Sequence, residues 1–217
     1  GIFNQKILNN FLKRLKKNGS KFSYRKVKNK AKKVYEANIT VFDALKKSDT
    51  DSKGEFLLER YVSAHSIIMS FEGIPAVYFN SLFGKSNDEA KYIITGNKRD
   101  VNRYKWNYKN ISKKLDNKNS KQSIFFQKIS NLLSVRRKQK AFHPNASRHI
   151  INLGSRIFSF KRISIDRKQT IICITNLSSI TQRTHLDKVY HNWNNLIGSK
   201  IKVNNNLLML KPFETIW

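Results

Sequence analysis

The sequence predicts an α/β protein, a stretch of β/α barrel followed by a small antiparallel β domain. Three observations carry that reading. Residues 55–71 hold an apolar helical pattern that runs into Gly73-Ile74-Pro75 and then the apolar run Ala76-Val77-Tyr78-Phe79. Helix, Gly-Pro break and short buried strand make one αβ step of a barrel. The small-residue loop after that run, and the polar Arg99-Asp100-Val101-Asn102-Arg103 loop beyond it, suit the ligand end of such a barrel, where loops leaving the strands carry function. From Ser147 onward the apolar residues shift to alternation broken by turn residues, the mark of antiparallel strands. The boundary falls near residue 146, giving a barrel part over 1–146 and a β domain over 147–217.

Each element follows from its residues. In residues 4–17, Ile7, Leu8, Phe11, Leu12 and Leu15 recur at helical spacing with lysines opposite, and Asn18-Gly19 supplies the stop. Residues 20–33 are polar and basic and read as an exposed loop or hairpin. Residues 34–42 are extended, and 46–53 form a turn-rich connection. The 55–71 helix carries Leu57, Leu58, Tyr61, Val62, Ala64, His65, Ile68 and Met69, so it packs on more than one side. A second strong helix spans 122–139, with Ile124, Phe125, Ile129, Leu132, Leu133 and Val135 inward. Its C-terminal cations, Arg136 to Lys140, suit the helix dipole, and Ala141-Phe142-His143-Pro144-Asn145 breaks it. The alternating pattern then runs through Ile157, Phe158, Phe160, Ile163, Ile171 to Ile174, Leu186, Trp193, Leu196, Ile201, Val203, Leu207 to Leu210, Phe213, Ile216 and Trp217.

Bulk composition excludes several classes. With 39% hydrophobic residues in 217, the chain has enough apolar mass for a core. The single cysteine, Cys173, lies inside Ile171-Ile172-Cys173-Ile174 and reads as a buried structural thiol. No apolar run approaches the roughly 20 residues a membrane span needs, and no signal-peptide core is visible, so the expected location is cytoplasmic. The net charge of +29 ordinarily suggests nucleic acid. Here Lys and Arg are scattered over nearly the whole length in company with Asn, Ile, Phe and Tyr, so composition rather than a specific nucleic-acid partner explains the basicity. The five histidines have no metal-ligand spacing, and no Gly-rich phosphate loop or dinucleotide fingerprint is present. No metal and no cofactor is expected.

Four motifs occur in one order: the Gly73 to Asn87 unit, the Arg99–Arg103 loop, the Arg137 to Asn145 exit, and the closing Leu210-Lys211-Pro212-Phe213-Glu214-Thr215-Ile216-Trp217. Together they resemble the sucrose phosphorylase branch of the α-amylase superfamily, and within it the glucosylglycerate and sucrose 6′-phosphate phosphorylase-like members. The resemblance implies the C-terminal part of a (β/α)8 barrel, strand and helix eight, followed by the C-terminal β domain. Gly1-Ile2 would then sit just after the seventh strand, inside a His-Asp-Gly-Ile-Gly sequence of the family. The chain begins with Gly rather than Met, which fits a part of a longer protein.

The resemblance also implies the chemistry. Family enzymes are retaining, with an Asp nucleophile, a Glu acid/base and a further Asp that stabilises the transition state. All three would precede Gly1, so no catalytic residue is expected here, and Asp43, Asp88 and Asp100 read as loop caps or Arg partners. What remains is the acceptor side. Tyr35 would stack on a sugar face, Glu36 would accept hydroxyl hydrogen bonds, and Asn38 belongs to the same loop over the barrel mouth. Sucrose-specific members carry Gln where Glu36 stands, which points away from plain sucrose as donor. Arg103, with Arg99, would hold phosphate or an acidic acceptor through the planar donor fork of guanidinium, with Asn102 orienting either arginine. His143 and His65 read as structural. The partners implied are an α-glucoside and inorganic phosphate. Three rivals stay open: a hydrolase or transglucosidase of the same branch, a non-catalytic remnant, and a basic nucleic-acid-binding protein.

Overall fold

The computed structural model describes residues 4–27, 30–187, 193–198, 203–204 and 206–217. In chain order the elements are α1 (Gln5–Lys17), the hairpin β1 (Lys21–Val27) and β2 (Lys30–Asn38), α2 (Val41–Ala44), α3 (Leu57–Ser70), α4 (Phe79–Leu82), α5 (Glu89–Thr95), a 3-10 turn (Lys98–Asn102), α6 (Tyr108–Asp116) and α7 (Lys121–Arg137). A short 3-10 turn (Lys140–Phe142) leads to β3 (Ser147–Ile150), β4 (Ile157–Ile163), β5 (Thr170–Asn176), β6 (Gln182–His185), β7 (Val203–Asn204), β8 (Leu207–Leu210) and β9 (Thr215–Ile216). Gly1, Ile2 and Ile201 lie outside the described residues. The fold divides into two compact units, residues 1–54 with 77–126, and residues 55–76 with 127–217.

In the first unit the sequence signals become caps. The Asn4 side chain accepts the Lys6 N–H at the start of α1. At its end Gly19, at φ 96°, lets its own N–H reach Lys16 O (3.0 Å) and the Ser20 N–H reach Leu15 O (2.9 Å). This is the paired hydrogen bonding of a Schellman stop, which a residue with a Cβ adopts only under strain. Leu15 is buried, whereas Ile7 and Phe11 remain about half exposed at 58% and 52%. The basic 20–33 stretch takes the hairpin option. Its register shifts between Ser23 and Tyr24, pairing Ser23 with Glu36 and Tyr24 with Val34, so Tyr35 is the extra residue of a β-bulge.

The second unit holds the β domain together with α3 and the end of α7. Strands pair antiparallel in the orders β3-β4-β5-β9 and β6-β8-β7. Ile157, Ile172, Ile174, Leu186, Leu208, Leu210 and Ile216 form one core cluster, with Ile151, Leu153 and Trp193 packed against it. Each such side chain contributes about 1.5–3 kcal/mol by leaving water. Strand β5 is buried on both faces after Thr170, which places Cys173 at 2% exposure. Burial pushes its thiol up to about 12, against the opposing pull of a Ser70 hydrogen bond. His65, 4% exposed, is held at Nδ1 by Tyr61 O at 2.9 Å. Burial lowers its pKa, the Tyr61 carbonyl opposing.

One expectation is corrected. Residues 74–78 are extended but belong to no sheet, and Ala76, Tyr78 and Phe79 are exposed. A parallel barrel strand exists only when neighbours take its main-chain groups, and every pairing among the described strands is antiparallel. Arg136, in the last turn of α7, turns inward. It is 8% exposed and donates to Met69 O, to Phe71 O at 3.3 Å and to Gly73 O at 2.9 Å. Arg162, fully buried on β4, donates to Ser70 O (2.6 Å), His143 O (2.9 Å) and Ala146 O (3.1 Å). The carbonyls that a helix leaves orphaned at its C-terminus are thus met at α3 by two guanidinium groups.

Candidate functional site

The residues singled out for substrate contact lie in the first unit, on the β1–β2 hairpin and the Lys98–Asn102 turn that packs against it. The bulge turns Tyr35 outward, leaving its ring 62% exposed with the Arg25 guanidinium 6.0 Å from its centroid. An exposed ring beside a cation can receive a flat apolar face. Its neighbour Glu36 accepts from Arg99 Nε at 3.0 Å, which ties hairpin to turn. Lys98 makes the same connection through Phe22 O at 2.8 Å. Asn38 faces inward, 1% exposed, donating to Lys21 O (3.0 Å) and Ser23 Oγ (3.1 Å). Its place is at the base of the hairpin, where it fixes the register.

The turn sets the two arginines apart. Arg99 is engaged by Glu36, whereas the exposed Arg103 side chain has no hydrogen bond or ion pair among the described residues. Asp100 pairs with Lys91 at 3.4 Å rather than with an arginine. A Thr95 hydrogen bond, then Lys91 and more weakly Arg103, holds its carboxyl below the usual range. The Asn102 side chain bonds to neither arginine. Its Oδ1 is buried without a partner, beside a cavity of about 110 Å³ lined also by Thr40, Asn80, Ser81 and Lys85.

What fixes the turn is a set of asparagines that sequence reasoning passed over. Asn80, 3% exposed, donates to Tyr104 O (3.1 Å) and Asn102 O (3.5 Å) and accepts the Trp106 Nε1–H at 2.7 Å. The one usable signal was Trp106 itself, since an indole N–H in a polar loop needs an acceptor. Asn87 accepts the Thr40 N–H (2.9 Å), donates to Gly19 O (3.3 Å), and sends its own main-chain N–H to Asp43 Oδ2 (2.5 Å). Asp43 and Asp88 are caps: Asp88 Oδ1 accepts the Lys91 N–H at the start of α5, and Asp43 also lies within 3.4 Å of Thr40 Oγ1. Beside Asp43, Lys121 sets its ammonium 3.5 Å from the Phe42 ring centroid. Burial pushes this amine down to about 8, opposed by Asp43 and reinforced by Lys85, Lys46 and Lys114. Among the described residues no group of three His, Cys, Asp or Glu could hold a metal ion.

A hairpin bearing a bulged tyrosine is thus tied through Glu36 and Arg99 to a turn that also carries the unpaired Arg103 guanidinium. A curated relative, the glucosylglycerate phosphorylase of Escherichia coli, is 30% identical over 184 residues, covering 84% of this chain and 32% of its own length. In sequence the chain is similar to glucosylglycerate and sucrose phosphorylases. A sucrose phosphorylase from Agrobacterium vitis is 29% identical over 127 residues, 58% of this chain and 23% of that protein. Among solved structures, sucrose 6F-phosphate phosphorylase from Thermoanaerobacter thermosaccharolyticum superposes with a TM-score of 0.66 at 22% identity, covering 82% of this chain and 33% of its own. That neighbour shares the fold, the α/β class read from the sequence. No family model matches the chain. The chain spans about a third or less of the length of these curated relatives. Among the described residues no helix is long and apolar enough to cross a membrane.

Proposed function

We propose that this chain is the acceptor-side, C-terminal part of a retaining glycoside phosphorylase. The complete enzyme transfers glucose from an α-glucoside to inorganic phosphate. In the balanced reaction a carboxylate supplied by another part of the barrel displaces the aglycone, which leaves with a proton from the acid/base residue. Phosphate then attacks the glucosyl ester, its proton returns to that residue, and α-glucose 1-phosphate is released with the nucleophile free. The chemistry is carboxylate-based and calls for no cofactor. The division into barrel part (1–146) and β domain (147–217) belongs to the same reading, as does a cytoplasmic location.

The observation that carries it is the unpaired Arg103 guanidinium on a turn anchored by Asn80, with Arg99 already occupied by Glu36. Two parallel N–H donors match two phosphate oxygens, a geometry lysine cannot copy. Arg99 then acts on the sugar side by holding Glu36 for hydroxyl contact, and Tyr35 offers its exposed ring. Asn38 serves this site through the hairpin main chain it fixes, and Asn102 through its main-chain carbonyl, which accepts from Asn80. In the full-length enzyme, Arg103→Ala should lower kcat/KM for phosphorolysis about a hundredfold while hydrolysis of the same glucoside changes less than about threefold. Equal losses in the two reactions would remove phosphate from Arg103 and favour the hydrolase reading.

A further inference from the structure

The main chain around Arg103 is held at three carbonyls. Val101 O accepts the Asp88 N–H at 2.8 Å. Tyr104 O and Asn102 O both accept from the Asn80 side-chain amide, at 3.1 and 3.5 Å. Asn80 therefore bridges the residue before Arg103 and the residue after it, from a position only 3% exposed. Carbonyls only accept and an indole N–H only donates, so these partners decide which way the amide faces. The Trp106 Nε1–H, 2.7 Å from Asn80 Oδ1, leaves the Nδ2 end to the two carbonyls. Trp106 is set in turn by ring contacts with Tyr104 at 4.9 Å and Phe83 at 5.6 Å. Each of these contacts joins two residues of this chain, all of them within the first compact unit.

We propose that Asn80, oriented by Trp106, is the positioning residue that aims Arg103 at the incoming phosphate; this rests on the reading of Arg103 as the phosphate contact. The two arginines of the turn are fixed by different means. Arg99 is held by its side chain, whose Nε is taken by Glu36. Arg103 is held through its backbone, and its guanidinium has no hydrogen bond or ion pair among the described residues. A cation that captures and releases an anion in every turnover gains from that arrangement, because backbone restraint preorganises it without a competing acceptor. Asparagine is the side chain that fits the task. Aspartate would set a second oxygen against Tyr104 O and Asn102 O, and leucine would leave both carbonyls and the indole N–H unpaired.

The test is steady-state kinetics of the full-length enzyme, with phosphorolysis and hydrolysis of one glucoside measured side by side. Asn80→Asp should raise KM for phosphate about tenfold and lower the ratio of phosphorolysis to hydrolysis by about that factor, since a misplaced arginine weakens only the step that uses phosphate. General loss of packing would slow both reactions together and leave the ratio unchanged. Trp106→Phe keeps the ring contacts but frees the amide to turn, and should lower the ratio about threefold. That variant decides the matter if Asn80→Asp does not fold. In the Arg103→Ala background, Asn80→Asp should change the ratio by less than about twofold, because nothing is left to position. A selective effect of Arg103→Ala with an unchanged ratio in the Asn80 and Trp106 variants overturns the inference alone. So do fully additive losses, which would mean that Asn80 acts on phosphate by another route. An unchanged ratio in Arg103→Ala removes the reading beneath the inference, and the inference with it.

Discussion

Replacing Arg162 by methionine tests what a buried cation contributes when its partners are carbonyls rather than a carboxylate. The guanidinium is fully buried and donates to Ser70 O, His143 O and Ala146 O at 2.6, 2.9 and 3.1 Å. Burial depresses its pKa, with Glu72 the main opposing influence. In Arg162→Met the three oxygens lose their donor in a dry site. Each stranded acceptor costs about 1–3 kcal/mol, while removing a desolvated charge returns several kcal/mol. With three acceptors against one charge the net loss should be about 3 kcal/mol. At a urea m-value of about 2 kcal/mol/M the midpoint falls by about 1.5 M. Arg162→Lys keeps the charge but not the planar fork, and should fall between. Trp217, buried 4.8 Å from Phe142 in the same unit, reports unfolding by fluorescence. Arg148→Met is the control. Arg148 pairs with Glu72 at 3.0 Å while both side chains stay about a third exposed, so its loss should move the midpoint by less than about 0.5 M. An Arg162→Met protein that unfolds at or above the wild-type midpoint would refute the reasoning, since desolvation relief would then outweigh the stranded carbonyls.

Two further outcomes follow from the titrating groups. Lys121 has its pKa lowered from 10.5 to about 8, so between those values the unfolded chain holds more protons and stability should rise with pH. Lys121→Met should remove that rise and stabilise the protein at pH 7 by about 1 kcal/mol, the full shift being discounted because the amine is partly in water. Melting temperatures at pH 7 and 10 check both, and a gap between the proteins that fails to narrow at high pH counts against the argument. Cys173, raised from 9.0 to about 12, should react with a disulfide reagent at pH 8 about a thousandfold more slowly in the native chain than in urea. Native labelling at the unfolded rate would show that β5 is not closed.

Much of the fold was legible because it rests on local chemistry. Asn4 and Asn18-Gly19 bracket α1, the apolar spacing marks α3 and α7, alternation marks β4, and unbroken apolar runs mark β5 and β8. What stayed hidden depends on which neighbours each group meets. Residues 74–78 have strand composition, yet a strand is a relation between two backbones. Arg136 and Arg162 stand among 43 Lys and Arg residues, and nothing in their immediate sequence says that these two turn inward. Asn80 and Asn87 are equally anonymous in an Asn-rich chain. The site was read through the residues that face outward, Tyr35, Glu36, Arg99 and Arg103. The asparagines that hold them follow from main-chain geometry alone.

The bonds of Asn87 have a bearing on how the first unit assembles in time. Its side chain and main chain bind partners 47, 68 and 44 residues away along the sequence. Closing loops of that length is an entropic cost met before any bond rewards it. These three bonds converge on one residue, so none gains much until the others are near. The β1–β2 hairpin can form early from local pairing, and Ser20 and Asn38 already join its base to the end of α1; what waits for Asn87 is the attachment of that base to the segment from residue 87 onward. The joining of the hairpin base to the segment that leads to the Arg99 turn is therefore expected as a late, concerted step. A change at Asn87 should slow folding less than it hastens unfolding, because its bonds are absent from the transition state.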